Sequence, residues 1–186
     1  MENTIDAVAG EEKILKADAY ELEAEELLER IILLGFNGDR DLYEKFREML
    51  KDSLPPGTGV TLRGSVVTNA RHEDGTPFDS KGENTSDLDV TLIGTEARAL
   101  WHDDAYYIPA LHTKPLGDKD PEIADPRLNH LREELQALVG RPVNIQATTN
   151  IVMYVRDVLL GQPYFMVIKP EETAEDDAET AQIAQL

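Results

Sequence analysis

The chain has 186 residues, of which 41% are hydrophobic and 30% are charged, a balance typical of a soluble globular domain. It contains no cysteine, which excludes disulfides, thiolate catalysis and cysteine-ligated zinc. The formal net charge of −19 argues against a nucleic-acid partner, because binding to phosphates depends on Lys and Arg. With no long apolar stretch and no signal-peptide pattern at the start, we expect a cytoplasmic protein without membrane contact.

Most of the excess acid lies at the two ends of the chain. Residues 1–30 hold ten acids and three bases, and residues 169–186 hold six acids and one base. The last stretch, residues 170–186, is also weakly apolar, so it predicts an acidic disordered tail. The excess as a whole is typical of a highly soluble protein or of one from a salty environment.

The N-terminal part, residues 1–54, predicts a helical segment that packs on the core. Apolar residues recur at helical spacing over residues 14–34, and Gly35 can end that helix. Asp39 can cap a second helix, whose apolar stripe continues to Leu50.

Residues 55–169 predict a core in which helices alternate with a few strands. Residues 70–86 are polar and rich in turn-forming types, which predicts a long irregular loop, and residues 105–126 are expected to be mostly loop. The order indicates an α/β (α+β) fold, with a small mixed β-sheet and helices packed on it. Strands are predicted at residues 59–63, 88–94, 142–147 and 164–168, and helices at residues 95–104, 126–140 and 150–160.

Two aspartates, Asp87 and Asp89, lie one residue apart at the start of the second predicted strand. Their side chains should point to the same face, where like charges destabilise a strand. A divalent cation removes this conflict, since Mg²⁺ is commonly held by one or two carboxylates together with substrate phosphates. The alternative is a pair of acids near the end of an exposed edge strand, left in water.

A Gly-Ser pair, Gly64 and Ser65, follows the first predicted strand. Backbone amides in such a turn can bind phosphate oxygens, and the serine hydroxyl adds a donor. Arg71 and Lys81, on the long loop, are further candidate phosphate ligands. Each feature also has a plainer interpretation, as a simple turn or as surface charge.

Taken together, "LRGS" and "TSDLDVTLIG" resemble the signature of the DNA polymerase β-like nucleotidyltransferase superfamily. The resemblance covers residues 59–94 well, extends loosely to about residue 168, and includes Ser86 before the first aspartate. It is shared with small bacterial nucleotidyltransferase-domain proteins.

The resemblance implies an activity and a set of ligands. Gly64 and Ser65 would hold the phosphates of a nucleoside triphosphate, and the catalytic Asp87 and Asp89 would bind two Mg²⁺ ions. The implied reaction moves a nucleoside monophosphate to a hydroxyl of a small molecule or a protein. A protein partner or a second copy of the chain could complete the acceptor site.

The third carboxylate of active members has no obvious counterpart. The matching strand, "RPVNIQA", offers Asn144, whose carbonyl can bind a metal but which cannot act as a base. The strand could be misaligned, or an acid elsewhere could substitute. An acid beside Asp87 and Asp89 would favour the enzyme. Asn144 alone there would favour a weak or inactive binding or regulatory module, for example an antitoxin-like partner protein. The candidate substitutes are Asp79, Glu83, Asp103 and Asp104.

Overall fold

A six-stranded mixed sheet lies at the centre of the computed structural model, which describes residues 10–170. The strand order across the sheet is β3-β4-β5-β2-β1-β6. β1 runs antiparallel to β2 and β6, and β2 runs parallel to β5. The strands are β1 (Gly59–Arg63), β2 (Leu88–Ile93), β3 (Tyr106–Ile108), β4 (His112–Thr113), β5 (Val143–Thr148) and β6 (Tyr164–Ile168).

Helices surround this sheet, so the α/β fold with N-terminal helices expected from the sequence is confirmed. Residues 10–16 are also helical, and single 3-10 turns occur at Ala19–Glu21 and Pro121–Ile123. No helix within residues 10–170 is long and apolar enough to cross a membrane. The labelled helices are α1 (Ala24–Gly35), α2 (Arg40–Ser53), α3 (Ser65–Thr68), α4 (Thr95–Arg98), α5 (Pro126–Val139) and α6 (Ile151–Asp157).

The single helix predicted over residues 14–34 is wrong, because the structure breaks it in two. Asp18 accepts a hydrogen bond from the Tyr20 amide, and Glu23 forms a reciprocal capping box with Glu26 at the start of α1. Such side chains satisfy backbone donors locally and so favour helix ends over helix interiors. The buried Arg30 bridges the two pieces, since it donates to backbone carbonyls on residues 14 and 17.

The two faces of the sheet differ in chemistry. One face carries the aliphatic side chains of β1, β2 and β5, which are buried against α1, α2 and α5. On the other face, polar side chains meet α6, whose Tyr154 hydroxyl bonds to Thr91 and Gln146. The alternation along each strand therefore builds an apolar core on one side and a polar, largely buried layer on the other.

The expectation that residues 105–126 are mostly loop missed two short strands. β3 and β4 hold only three and two residues, and Leu116 adds a single bridge to Ile145 of β5. Strands this short carry no periodic signal, and β4 joins the sheet through a pairing of His112 with Thr148 of β5, which is distant in the chain. The acidic tail predicted at residues 170–186 lies outside the described residues, apart from Pro170.

Candidate functional site

The Gly-Ser and Asp-x-Asp motifs meet where β1 ends and β2 begins. Antiparallel pairing sets Arg63 opposite Asp89, so the next residue, Gly64, lies against the aspartate. A Cβ atom at Gly64 would come within 2.9 Å of the Asp89 Oδ2 atom. The Gly64 backbone, with φ 74° and ψ −150°, is also one that residues with a Cβ rarely adopt. Both constraints require glycine at this position, and the two motifs form one site.

A cavity of about 610 Å³ opens over this junction. Its volume is in the range of small-molecule sites in proteins. The turn after α6 forms another part of its wall, and His72 and Gln162, hydrogen-bonded to each other at 3.0 Å, also line it. The predicted site residues that line the cavity are Gly64, Ser65, Arg71, Ser86, Asp87 and Asp89.

Lys81 and Ser86 are less available to a ligand than the other predicted phosphate-binding residues. Lys81 is exposed and is not among the residues that line the cavity. Ser86 lines the cavity, but its hydroxyl accepts a hydrogen bond from the Asp79 amide at 2.8 Å. Its own amide donates to the Asp79 carboxylate at 2.7 Å. Arg71 lies 3.5 Å from Glu73, a weak surface pair that a phosphate can replace.

Asn144 stands beside both aspartates. Parallel pairing of β2 with β5 sets it opposite Asp89. Its Nδ2 atom donates to Asp87 Oδ2, and lies 3.4 Å from Asp89 Oδ1. On its other side, a Cβ atom at Gly117 would come within 2.8 Å of Asn144 Oδ1. The amide is therefore enclosed, and it is the NH₂ group that faces the carboxylates.

Arg63 supplies the positive charge nearest to Asp89. Its Nη1 atom lies 3.5 Å from Asp89 Oδ2, and its side chain is only 16% exposed. Burial raises the pKa of Asp89 and the negative charge of Asp87 adds to this, whereas Arg63 and Asn144 oppose the rise. Two partly buried carboxylates with one arginine leave the site short of positive charge, which favours a bound cation.

Arg63 is held in place by a network that the sequence motifs did not indicate. Its Nε atom donates to Thr91 Oγ1 at 3.3 Å, and its Nη2 atom donates to Gln146 Oε1. The Tyr154 hydroxyl also donates to Gln146 Oε1, at 3.0 Å. Gln146 follows Asn144 by two residues, so its place on the polar face is foreseeable. Tyr154 comes from α6 and gives no such signal.

The donor set fits a hard cation only in part. Asp87 and Asp89 offer carboxylate oxygens of the type that Mg²⁺ prefers, and Asn144 could add a carbonyl oxygen if its amide rotated. Within the described part of the chain, no third Asp, Glu or His gathers with them. Asp79, one of the candidate substitutes, lies 3.1 Å from Arg141 instead. The set suits an ion whose remaining ligands come from water and substrate phosphates.

Comparison with known proteins adds no further assignment. No family model matches this chain, and neither a curated protein nor a solved structure matches it. What the site does must therefore be argued from the cavity and from the residues that line it.

Proposed function

We propose that the cavity binds a nucleoside triphosphate together with Mg²⁺, in the manner of the nucleotidyltransferases that the sequence resembles. One observation carries this proposal: the Gly64–Ser65 turn and the carboxylates of Asp87 and Asp89 open into the same cavity. Backbone amides at a glycine turn suit phosphate oxygens, and paired carboxylates suit the cation that accompanies them.

The charges around the cavity make the cation necessary. The lining includes Arg63 and Arg71, against the acids Glu73, Asp87 and Asp89. Acids outnumber bases, so a triphosphate entering alone would be repelled. Mg²⁺ bound to the two aspartates would change the local net charge from negative to positive where the phosphates would lie. Ser65 and Arg71 could then orient the phosphates.

The candidate reaction is transfer of a nucleoside monophosphate. An acceptor hydroxyl of a small molecule or a protein would attack the α-phosphorus, pyrophosphate would leave, and the proton would pass to water. Mg²⁺ would supply charge neutralisation on the attacking and leaving oxygens. Gly64 and Ser65 would hold the leaving phosphates, while Asp87 and Asp89 would fix the ion.

Asn144 favours a second possibility, in which this transfer is slow or absent. It lies beside Asp87 and Asp89, on the strand that the resemblance matches to the one where active members of the superfamily carry a carboxylate. A neutral amide neither adds charge for a second ion nor accepts a proton from the acceptor hydroxyl. We therefore favour a nucleotide-binding or regulatory module with weak transfer activity over an efficient enzyme.

Isothermal titration tests the binding step. Non-hydrolysable ATP and GTP analogues are titrated with and without Mg²⁺ into the wild type and into the Asp87→Asn/Asp89→Asn double variant. We expect Mg²⁺-dependent binding that the double variant loses. Asp103→Asn/Asp104→Asn, which removes two adjacent exposed acids that do not line the cavity, is the matched control and should bind normally. A wild type that binds neither analogue would overturn the proposal.

Release of pyrophosphate from labelled triphosphates tests the chemical step. If the missing carboxylate limits transfer, Asn144→Asp should raise the rate by about 100-fold, the lower end of general-base effects. Asn37→Asp adds the same charge at an exposed turn and should leave the rate unchanged. A wild type that releases pyrophosphate measurably, and as fast as Asn144→Asp, would show that the two aspartates suffice and would favour the enzyme.

A further inference from the structure

The wall of the cavity contains an apolar segment that differs from the polar motifs described above. Residues 158–160, here called the apolar turn, follow α6 and contribute a valine and two leucines to the lining. Apart from one alanine, the other lining residues are glycines or carry polar or charged side chains. A ligand that fills the cavity would therefore meet phosphate- and metal-binding groups at one part and hydrocarbon at another.

The apolar turn has a fixed backbone. The Leu159 amide donates to the Tyr154 carbonyl at 3.1 Å, and the Gly161 amide donates to the Val155 carbonyl at 3.0 Å. The Gln162 amide closes the turn by donating to the Leu159 carbonyl at 3.0 Å. Leu159 is buried and anchors the turn in the protein. The position of Leu160, the next residue in the chain, is therefore fixed.

Leu160 is unusual in both its exposure and its backbone. Its side chain is 77% exposed, the highest value among the large apolar residues that the structure describes. Its φ is 52°, in the left-handed region that residues with a Cβ adopt only at a cost. A strained backbone that holds a leucine in the open at the edge of a cavity is a reason to look for a ligand there.

The polar neighbours of the apolar turn are tied to each other. Gln162 Nε2 and His72 Nδ1 are 3.0 Å apart, and this contact joins the loop of residues 70–86 to the turn. One N–H of Gln162 and one ring nitrogen of His72 are therefore directed at each other. A flat aromatic ring packed on Leu160 would be held mainly by apolar contact.

We infer that the apolar turn is the binding platform for the nucleobase, and that it accepts all four bases with similar affinity. The inference rests on the proposed function, since it places the base of the same triphosphate whose phosphates lie at Gly64 and Ser65. Hydrocarbon contact is indifferent to the hydrogen-bonding pattern of a base edge, because every base has an apolar face. Selection among substrates then falls to the acceptor.

The test compares two ligands that share the phosphates and differ in the nucleoside. Non-hydrolysable nucleoside triphosphate analogues and inorganic tripolyphosphate are each titrated in Mg²⁺. The variant is Leu160→Asn, since asparagine tolerates a left-handed backbone better than most residues and should not strain the turn. Val152→Asn, at an exposed valine of α6 that does not line the cavity, is the control.

We expect Leu160→Asn to weaken every nucleoside triphosphate analogue by about tenfold, the effect of losing one partly buried leucine contact. Its affinity for tripolyphosphate should stay within twofold of the wild type, and Val152→Asn should change neither ligand. Unchanged nucleotide affinity in Leu160→Asn would overturn the inference that the base binds on the apolar turn. A wild type that strongly prefers one base would overturn the inference that all four bases bind with similar affinity. Either result leaves the proposed function standing if tripolyphosphate binds with Mg²⁺. Failure of both ligands would overturn both.

Discussion

At the scale of single residues, Gly64 brings the backbone into close contact with Asp89 of the candidate metal site. Alanine there would combine a positive φ of 74° with a Cβ atom 2.9 Å from Asp89 Oδ2. Gly140 offers a matched comparison, because its φ is 69°, nothing lies within 4 Å of its Cβ position, and it does not line the cavity. Gly64→Ala should therefore lower the free energy of unfolding by about 1–3 kcal/mol more than Gly140→Ala does, because only the first adds a steric clash.

The same substitution should also affect binding. The added methyl group displaces the Asp89 carboxylate, so Gly64→Ala is expected to abolish Mg²⁺-dependent nucleotide binding, whereas Gly140→Ala, outside the cavity, keeps it. Urea denaturation and isothermal titration measure the two effects separately. Equal results for both alanines in both measurements would mean that the contact between Gly64 and Asp89 has no bearing on the site.

His112 is the residue whose protonation should matter most for stability near neutral pH. Its side chain is fully buried, its Nδ1 atom lies 2.9 Å from Thr148 Oγ1, and its Nε2 atom lies 3.9 Å from Asp157 Oδ2. Burial lowers the pKa of His112, an effect that Asp157 opposes and Arg156 reinforces. The unfolded chain, with an ordinary histidine, then binds a proton at a higher pH than the folded chain does.

The sign of the pH effect follows from this difference. Where the unfolded state binds more protons, the free energy of unfolding falls as the pH falls. We expect the loss to begin near the ordinary histidine pKa of about 6.5 and to continue below it. His112→Gln should remove this part of the pH dependence, whereas His130→Gln, at a histidine 72% exposed, should keep it. Urea denaturation between about pH 7.5 and 5.5 measures it, and identical slopes for the wild type and His112→Gln would contradict the assignment.

At the scale of elements, the loop of residues 70–86 is anchored by one buried side chain. Arg141, just before β5, donates to the Ser86 carbonyl at 3.2 Å and to Asn84 Oδ1 at 2.9 Å. It also pairs with the Asp79 carboxylate and lies over the Phe78 ring, 4.7 Å from its centre. The loop therefore enters β2 from a fixed position, directly before the two aspartates of the site.

Removing this anchor should loosen the loop and destabilise the protein. Arg141→Met leaves Asp79 partly buried without its partner, a change that typically costs about 3–5 kcal/mol. Arg127→Met, at an arginine 85% exposed, should cost less than about 1 kcal/mol. Urea denaturation gives both values.

Limited trypsin digestion gives a local measure of the same anchor, since Arg71 and Lys81 are cleavage sites within the loop. Cleavage there should be faster in Arg141→Met, and also in Asp79→Asn, which keeps the arginine and serves if the first variant does not fold. Cleavage at the wild-type rate in a folded variant would show that the loop is held by other contacts.

The elements that could be predicted from the sequence are those with a strong local pattern. β1 and β6 have the predicted bounds, since each is a run of strand-forming residues that ends at turn residues. The break before α1 was missed because the apolar spacing continues through it. The N-caps at Asp18 and Glu23, which start the 3-10 turn and α1, are short-range signals and easily overlooked.

The site shows the same division between local and distant signals. The side chains of Asp87 and Asp89 share a face because of strand alternation, which the sequence does show. The contact of Arg141 with Asp79 joins residues 62 positions apart, and that of Arg63 with Gln146 joins residues 83 apart. Such pairs depend on the register of the sheet, and no local pattern specifies that register.

At the scale of the whole molecule, the excess of acid should set the response to salt. The chain has 37 Asp and Glu against 18 Lys and Arg. Exposed pairs such as Lys13 with Glu26 contribute little stability each, so repulsion among the unpaired acids should outweigh them. Repulsion of this kind is greatest in the folded state, where the charges are closest together.

Added salt should therefore stabilise this protein. Screening shortens the range of repulsion from roughly 14 Å at 0.05 M to about 6 Å at 0.3 M ionic strength, so the melting temperature should rise over that interval. For a chain of this size, each kcal/mol of repulsion relieved corresponds to about 2–4 °C. Thermal unfolding in NaCl and in NaSCN at matched ionic strength separates screening from ion-specific effects, since screening raises the melting temperature in both. A melting temperature that falls as NaCl is added would mean that attractive surface pairs dominate. The excess of acid would then cause no net destabilisation of the folded state.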